Sequence, residues 1–448
     1  MSKDLKRLAE ILLDAAKSAG ADGADALAVH GASVSIDVLD GKLEHAERAE
    51  GTDIGLRVLV GQKQACISGS DLRETSLTTM AERAVAMARE APDDPYACQA
   101  EPGEFSKIRT AGGLELSDPT AAPSPKELED DALKAEAAAK AIKGVDQVQG
   151  TSAGYSESAI YLATSKGFHG GYARTSRSVS CVAIAGTGLQ MERDYSGESR
   201  VYQADLPDAA TIGTEAGERA VSRFGASKPP TGSYPVLFDE RISATLIGHL
   251  ISAINGTSIV RGASWLREAM GQRVLPETLS LIEDPSRKRI GGSRPFDGEG
   301  LAVKSRAIVE LGILNSWVLD LSTARQLGLE STGNAARGTS APPSPSAGNI
   351  DLKGGTRSRA DLISDMGTGL IVTSLIGSSI NANTGDYSRG ASGFWVENGK
   401  ITRPVNECTI AGNLREMLGT CLAATDARDH LSRRIPSLLV ERMTIAGA

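Results

Sequence analysis

The chain writes the same order of elements twice in its first half, and this repeat constrains its fold more than any other feature. Leu5, Leu8, Ile11, Leu12 and Ala15 share one helical face, so an amphipathic helix is predicted over residues 3–19. Next comes "SVSIDVLDGKLEHAERAEGTDIGLRVLVGQKQACISGS", an alternating run broken at Asp40-Gly41, Glu50-Gly51 and Val60-Gly61-Gln62. Gly and Asp tolerate the positive φ of tight hairpin turns, so the spacing predicts a four-strand antiparallel meander. "DLRETSLTTMAERAVAMAREA" then closes the unit as a helix. The second copy opens at "SPKELEDDALKAEAAAKAIKG", with Ser124 as N-cap, Pro125 at the first helical position and Gly144 as the stop. Strands follow in "VDQVQGTSAGYSESAIYLATSKGFHGGYARTSRSVSCVAIAG" and "SGESRVYQA", and a helix over 208–224 ends it. The expected class is α+β. Residues 1–225 form an N-terminal domain of two helix–antiparallel meander–helix units, each with four strands.

Residues 92–125 are rich in Pro, Gly, Asp and Ser and read as a connection between the units. "GASKPPTGSYP", 225–235, reads as a linker into a C-terminal domain, 226–448. That half shows short strands between Gly, Ser and Asn turns, so a β-rich, barrel-like or sandwich-like domain is expected. "GLESTGNAARGTSAPPSPSAGNIDLKGG" and "LIGSSINANTGDYSRGASGFWVENGK" read as long loops, of the kind that carry function. "ECTIAGNLREMLGTCLAATD" reads as a helix and "IPSLLVERMTIAG" as the final strand.

Totals exclude several classes of function. Net charge is −8, with no Lys/Arg cluster, and aromatic residues are only 4%. Phosphate-backbone binding needs concentrated positive charge, and single-stranded nucleic acid needs aromatic platforms, so direct DNA or RNA binding is not expected. The five cysteines are scattered without a CxxC pair, which suits reduced thiols and a cytoplasmic location. The charged start rules out a signal peptide, and no apolar run has membrane-spanning length.

Residue chemistry alone completes no active site. The five histidines (His30, His45, His169, His249 and His430) sit near no strong serine motif. The Gly-x-Gly fragments "GTGLQM" and "GTGLIV" lack the third glycine, and "GEGLAVKS" ends in Lys-Ser but lacks the glycine before the lysine of a phosphate loop. The segment "DERISATLIGHLISAIN", 239–255, reads as an amphipathic helix carrying His249, with Ala244 and Thr245 one turn before it. Its only local donors are Asp239 and Glu240, at the far end of the helix.

"PVLFDERISATLIGHL", "STGNAAR", "NTGDYSRGASGFWVENG" and the "IAG" ending, with "DGKLEHAERAEGTDIGLRVLVGQKQACISGSD" near the start, resemble the TldD/PmbA family and its PmbA (TldE) branch. The likeness runs over essentially the whole chain. It implies a cytosolic zinc metallopeptidase assembled from two kinds of chain and acting on unfolded or small peptides. Microcin-precursor processing and antitoxin removal are the associated activities, and "modulator of DNA gyrase" is an older name that does not imply DNA binding. In the TldD branch a helix of the form HExxxH, with a later cysteine, binds zinc, and its glutamate activates water. Laid on this chain, the second histidine falls on His249, the first on Ala244 and the glutamate on Thr245; the final segment has no cysteine. The resemblance therefore implies a chain with no metal or other cofactor of its own, zinc being expected only in a TldD-type partner. A homodimer is the expected alternative when the chain is alone. The Gly- and Ser-rich 378–393 stretch is expected to hold extended peptide by strand addition, with Asn381, Asn383, Asp386, Ser388, Arg389 and Gly390 as contacts, though the same residues are turn formers. Two other readings stay open: a peptide-binding adaptor that acts without a protease, and a serine hydrolase pairing Ser388 with His249.

Overall fold

The computed structural model describes residues 2–448, with side chains from Asp4 onward. Helix α1 (Ser2–Ser18) buries Leu5, Ala9, Leu12 and Ala16, spaced four, three and four residues apart, as one helical stripe requires. Strands β1 (Gly23–Leu39), β2 (Lys42–Val60) and β3 (Lys63–Gly69) follow, then α2 (Glu74–Glu90). The second unit repeats this with α3 (Pro125–Lys140), β4 (Val145–Thr164), β5 (His169–Ala185), β6 (Glu192–Arg200) and α4 (Ala209–Ser222). Ser124 caps α3 in a reciprocal capping box with Glu127, as its sequence predicts.

Each meander has three strands, not the expected four. Asp40-Gly41 and Gly61 do turn, with φ of 51°, 72° and 59°. Glu50-Gly51 does not: β2 runs straight through it, and Gly51 faces Gly31 of β1. A glycine marks a hairpin only where the chain uses its positive φ, and here the ladder with β1 is continuous.

The two units share one antiparallel sheet, ordered β3-β2-β1-β4-β5-β6, with β1 and β4 paired at the centre. Side-chain alternation assigns its faces. Ala24, Ala26, Ala28, Ile54, Leu56 and Val58 lie under α1 and α2, while Ile36, Val38, Ala153 and Tyr155 lie under α3 and α4. The opposite face presents Leu27 and Leu162 to Phe168 and Phe296 of a seam with the second half.

That second half contains a closed barrel. Strands β7 (Gly232–Phe238), β8 (Gly369–Ile380), β9 (Asp386–Glu397), β10 (Lys400–Asn413) and β11 (Leu438–Ala446) run in the order β10-β9-β8-β7-β11, and β10 pairs back onto β11. A second sheet joins Ser280–Glu283, Arg306–Glu310, Ile313–Leu314, Ile350–Lys353 and Arg433–Arg434. Three expectations change here. The stretch around 376–390 is not a loop but the β8–β9 hairpin; Gly385 turns its tip with a φ of 80°, and just beyond the stretch a Cβ on Gly393 would lie 1.9 Å from the Ile371 carbonyl oxygen. The helix expected over 407–426 begins as the end of strand β10 and is helical only over Leu414–Gly419, where Asn413 caps its start by accepting from the Arg415 amide. The 92–125 connection is structural: Cys98, Ala100, Ser106 and Leu116 are buried. Its Arg109 and Leu116 carbonyls accept from Gly171 and Thr175 of β5 at 2.9 and 3.0 Å.

Candidate functional site

Helix α5 (Glu240–Ala253) leaves strand β7 directly and carries the 239–255 motif. Asp239 caps it by accepting from the Arg241 amide, and Leu246, Ile247, Leu250 and Ile251 pin it to the barrel core. The acidic groups at its N-terminus are committed. Asp239 receives Arg359 at 2.9 Å, and Glu240 receives Arg428 at 2.7 Å. Burial pushes the Glu240 carboxyl up despite that arginine.

One and a half turns on, Ala244 packs against the barrel core and Thr245 turns its hydroxyl back onto the Ile242 carbonyl at 2.6 Å. His249 stacks edge-on against Tyr387 of β9, with ring centroids 5.9 Å apart. Its Nε2 is buried and has no hydrogen-bond partner. Burial, with help from the Arg389 cation, lowers the His249 pKa and keeps the ring neutral. Burial also pushes the Tyr387 hydroxyl up to about 12. A neutral imidazole, a protonated phenol and a guanidinium can hold a ligand by hydrogen bonds, and burial with the neighbouring cation makes the imidazole a weaker base than a free one. Nor does the set fit zinc: one histidine beside a cation has no second or third donor, and among the described residues no three of His, Cys, Asp and Glu gather as a metal set.

The peptide-contact residues predicted from sequence divide into two groups. Asn381 and Asp386 build the hairpin turn: Asn381 Oδ1 accepts from the Asn383 and Thr384 amides, and Asp386 accepts from Thr384 and Asn413 side chains. Asn383 is exposed at the tip. Ser388 and Gly390 pair with β8 on one side and β10 on the other, so this strand has no free edge and strand addition is closed to it. Arg389 donates to the Gly377 carbonyl at 2.6 Å and brings its charge to His249 and Tyr387. Ser388 follows Tyr387, so alternation along β9 turns it to the other face from the residue that touches His249. That removes the geometric basis for a Ser388–His249 hydrolase.

Sequence reasoning missed a buried ionic cluster at the seam. Asp25 of β1 receives Arg57 of β2 at 2.7 Å and also Arg337, the last residue of "STGNAAR". Burial alone would raise the Asp25 carboxyl, but Arg337 and Arg57 outweigh it and hold the pKa below its ordinary value. Close by, burial raises Asp297 to about 6 and Glu299 well above the usual range, Asp297 adding to the second shift. The quoted motif contained Arg337, but nothing local announced a partner 312 residues away.

Comparison with known proteins covers the whole chain. Models of the PmbA/TldA metallopeptidase match in three parts: domain 1 over residues 24–88, the central domain over 118–224 and the C-terminal domain over 231–447. Metalloprotease PmbA of Escherichia coli O157:H7 is 34% identical over 96% of this chain and 93% of its own. A solved structure of a protein described as a modulator of DNA gyrase, from Bacteroides thetaiotaomicron, aligns with a TM-score of 0.90 at 29% identity over 99% of both chains. TldE from Thermococcus kodakarensis shares the fold, with a TM-score of 0.84 at 19% identity over 98% of this chain and 100% of its own.

Proposed function

The chain belongs to the PmbA/TldD metallopeptidase family, and we propose that it serves there as the PmbA/TldE-type subunit, beside a TldD-type chain that holds the zinc. Its substrates are extended or unfolded peptides, and its place is the cytoplasm. No described helix is long and apolar enough to cross a membrane. The observation that carries this reading is α5: Ala244 and Thr245 stand where the family's catalytic helix has its first histidine and its glutamate, and His249 keeps only a ring contact and a neighbouring cation. His249, Tyr387 and Arg389 then contribute hydrogen-bond donors to the peptide rather than chemistry to the bond.

Metal analysis of the purified chain, followed by mixing with a TldD-type chain, tests this. The chain alone retains well under one zinc per molecule and cleaves no unfolded peptide, whereas the mixture does. One zinc per chain, lost on His249→Ala, overturns the reading. A peptide-binding adaptor remains the second reading, since binding by these donors needs no partner; peptide affinity without any gain of cleavage on mixing selects it.

A further inference from the structure

Two arginines at the seam keep buried hydrogen-bond donors that no protein group takes up. The Arg337 side chain is 2% exposed; its Nη1 meets Asp25, but Nε and Nη2 are buried and have no hydrogen-bond partner. Arg294 donates through Nη2 to the Gly333 and Ser346 carbonyls at 3.2 and 3.4 Å, and its buried Nε has no partner either. Buried N–H groups left unpaired are costly, so a native fold rarely keeps them unless another group binds there.

The charges are unbalanced in the same place. Arg337 shares Asp25 with Arg57, and Arg294 shares Glu283 with Arg306, at 3.9 and 3.0 Å. Arg174 of β5 gives its donors to the Gly291 and Ser293 carbonyls and, among the described residues, forms no ion pair. Asp297 is the further acid beside Arg294, and its oxygens already accept from the Glu299, Leu301 and Ala335 amides. Even with Asp297 ionised, these guanidiniums outnumber their carboxylates.

Arg174, Arg294 and Arg337 line one cavity of about 350 Å³, at the small end of ligand pockets. Its floor is apolar. Leu27 of β1 pairs with Leu162 of β4, and Val29 with Ile160, and Phe296 from the second half packs with them. Water would satisfy an N–H but brings no charge. A multivalent anion such as phosphate would have to shed its hydration against hydrocarbon. A monocarboxylate with an apolar body suits both walls: oxygens for the free N–H groups, one negative charge for the excess cations, and hydrocarbon for the floor.

We infer that this seam cavity binds a small monocarboxylate with an apolar body, its oxygens accepting from Arg337 and Arg294 and its hydrocarbon lying on Leu27, Val29, Ile160 and Leu162. The inference does not rest on the function proposed above. Such a group has two sources, a free carboxylic acid or the last residue of a peptide, and the test separates them.

Isothermal titration calorimetry on the full chain takes octanoate as the free acid and N-acetyl-leucine as the peptide end, each beside its neutral amide. At least one acid should bind once per chain with a dissociation constant below roughly 1 mM. Its amide should bind at least roughly tenfold more weakly, because the charge-assisted hydrogen bonds are lost. The tighter acid identifies the source. Val29→Trp fills the floor and should weaken binding at least roughly tenfold. Arg337→Lys keeps a cation for Asp25 but loses the remaining guanidinium donors, and should weaken binding by roughly tenfold. Thermal melts report whether each variant folds; where one does not, the acid and amide titrations of the parent decide alone. Neither acid reaching that affinity overturns the proposal, as does an amide that binds as tightly as its acid. Inorganic phosphate matching the better acid, or unaltered binding by a folded Val29→Trp chain, overturns it as well.

Discussion

The two units of the repeat have one topology and two fates. In each, the middle strand of the meander outruns the strand beyond it: β2 outruns β3, and β5 outruns β6, which pairs only with Arg177–Ala185. The uncovered half of β5, His169–Ser176, receives the chain segment 109–116 and then the second half of the molecule. The uncovered half of β2 pairs with no further strand among the described residues. Since the strand order is symmetric, the difference comes from where the connecting chain runs. One edge became an internal seam, with Phe168 against Phe105 and Phe296 at centroid distances of 5.4 and 4.9 Å. Its twin stayed open to other molecules.

The sharpest way to break this contrast is to remove an anchor of the seam. Phe296 is buried against Phe168 and Tyr172. Phe296→Ala leaves a cavity where the two halves meet and should cost about 3–5 kcal/mol in denaturant unfolding. Leu43→Ala, at a half-exposed leucine on the open hairpin, should change stability by no more than about 0.5 kcal/mol. Equal losses would mean that the open arm is covered in solution or that the seam bears little of the stability.

A pair of glycines on one strand sharpens the comparison at smaller scale. A Cβ on Gly55 would lie 2.1 Å from the Thr339 carbonyl oxygen, so backbone must shift to admit it, and Gly55→Ala should cost about 1–3 kcal/mol. Gly51, four residues earlier on the open half, has nothing within 4 Å of its position. Gly51→Ala should be neutral or stabilising by about 0.5 kcal/mol, because it narrows the unfolded ensemble without strain. Thermal melts of the two variants compare the covered and open halves of β2 directly.

What the sequence made legible follows the same division. Features whose cause lies within a few residues were readable: the Ser124 cap, the Asp40-Gly41 turn and the stripe of α1. Features that depend on a distant strand were not. Gly51 looks like Gly61 until β1 is seen to continue opposite it, and the Gly- and Ser-rich 376–390 stretch looks like a loop until β10 closes the barrel beside it. The 92–125 segment has loop composition because its hydrogen bonds go to β5 and to the second half, not to a periodic neighbour. Arg337 sat in a quoted motif without its partner Asp25.

The smallest expected effect is a change of slope with pH, and it also separates seam from edge. Asp25 is held below its ordinary pKa by Arg337 and Arg57, so its share of stability is present above about pH 4 and is lost as pH falls through the lowered value. Asp297 and Glu299 run the other way. Burial raises both in the folded chain, Asp297 to about 6, so the unfolded chain releases these protons first and stability declines as pH rises from about 4 towards 6 and beyond. Glu299→Gln keeps an acceptor for the Leu321 amide, which Glu299 now receives at 3.0 Å, and removes one of the two protons involved. Urea unfolding from pH 4 to 8 should therefore show a shallower decline for the variant than for the parent. Leu43→Ala, which removes no titrating group from the open hairpin, should leave the slope unchanged. A parent whose stability rises steadily across that window would show that the Asp297–Glu299 pair is hydrated, and that the seam is no drier than the edge.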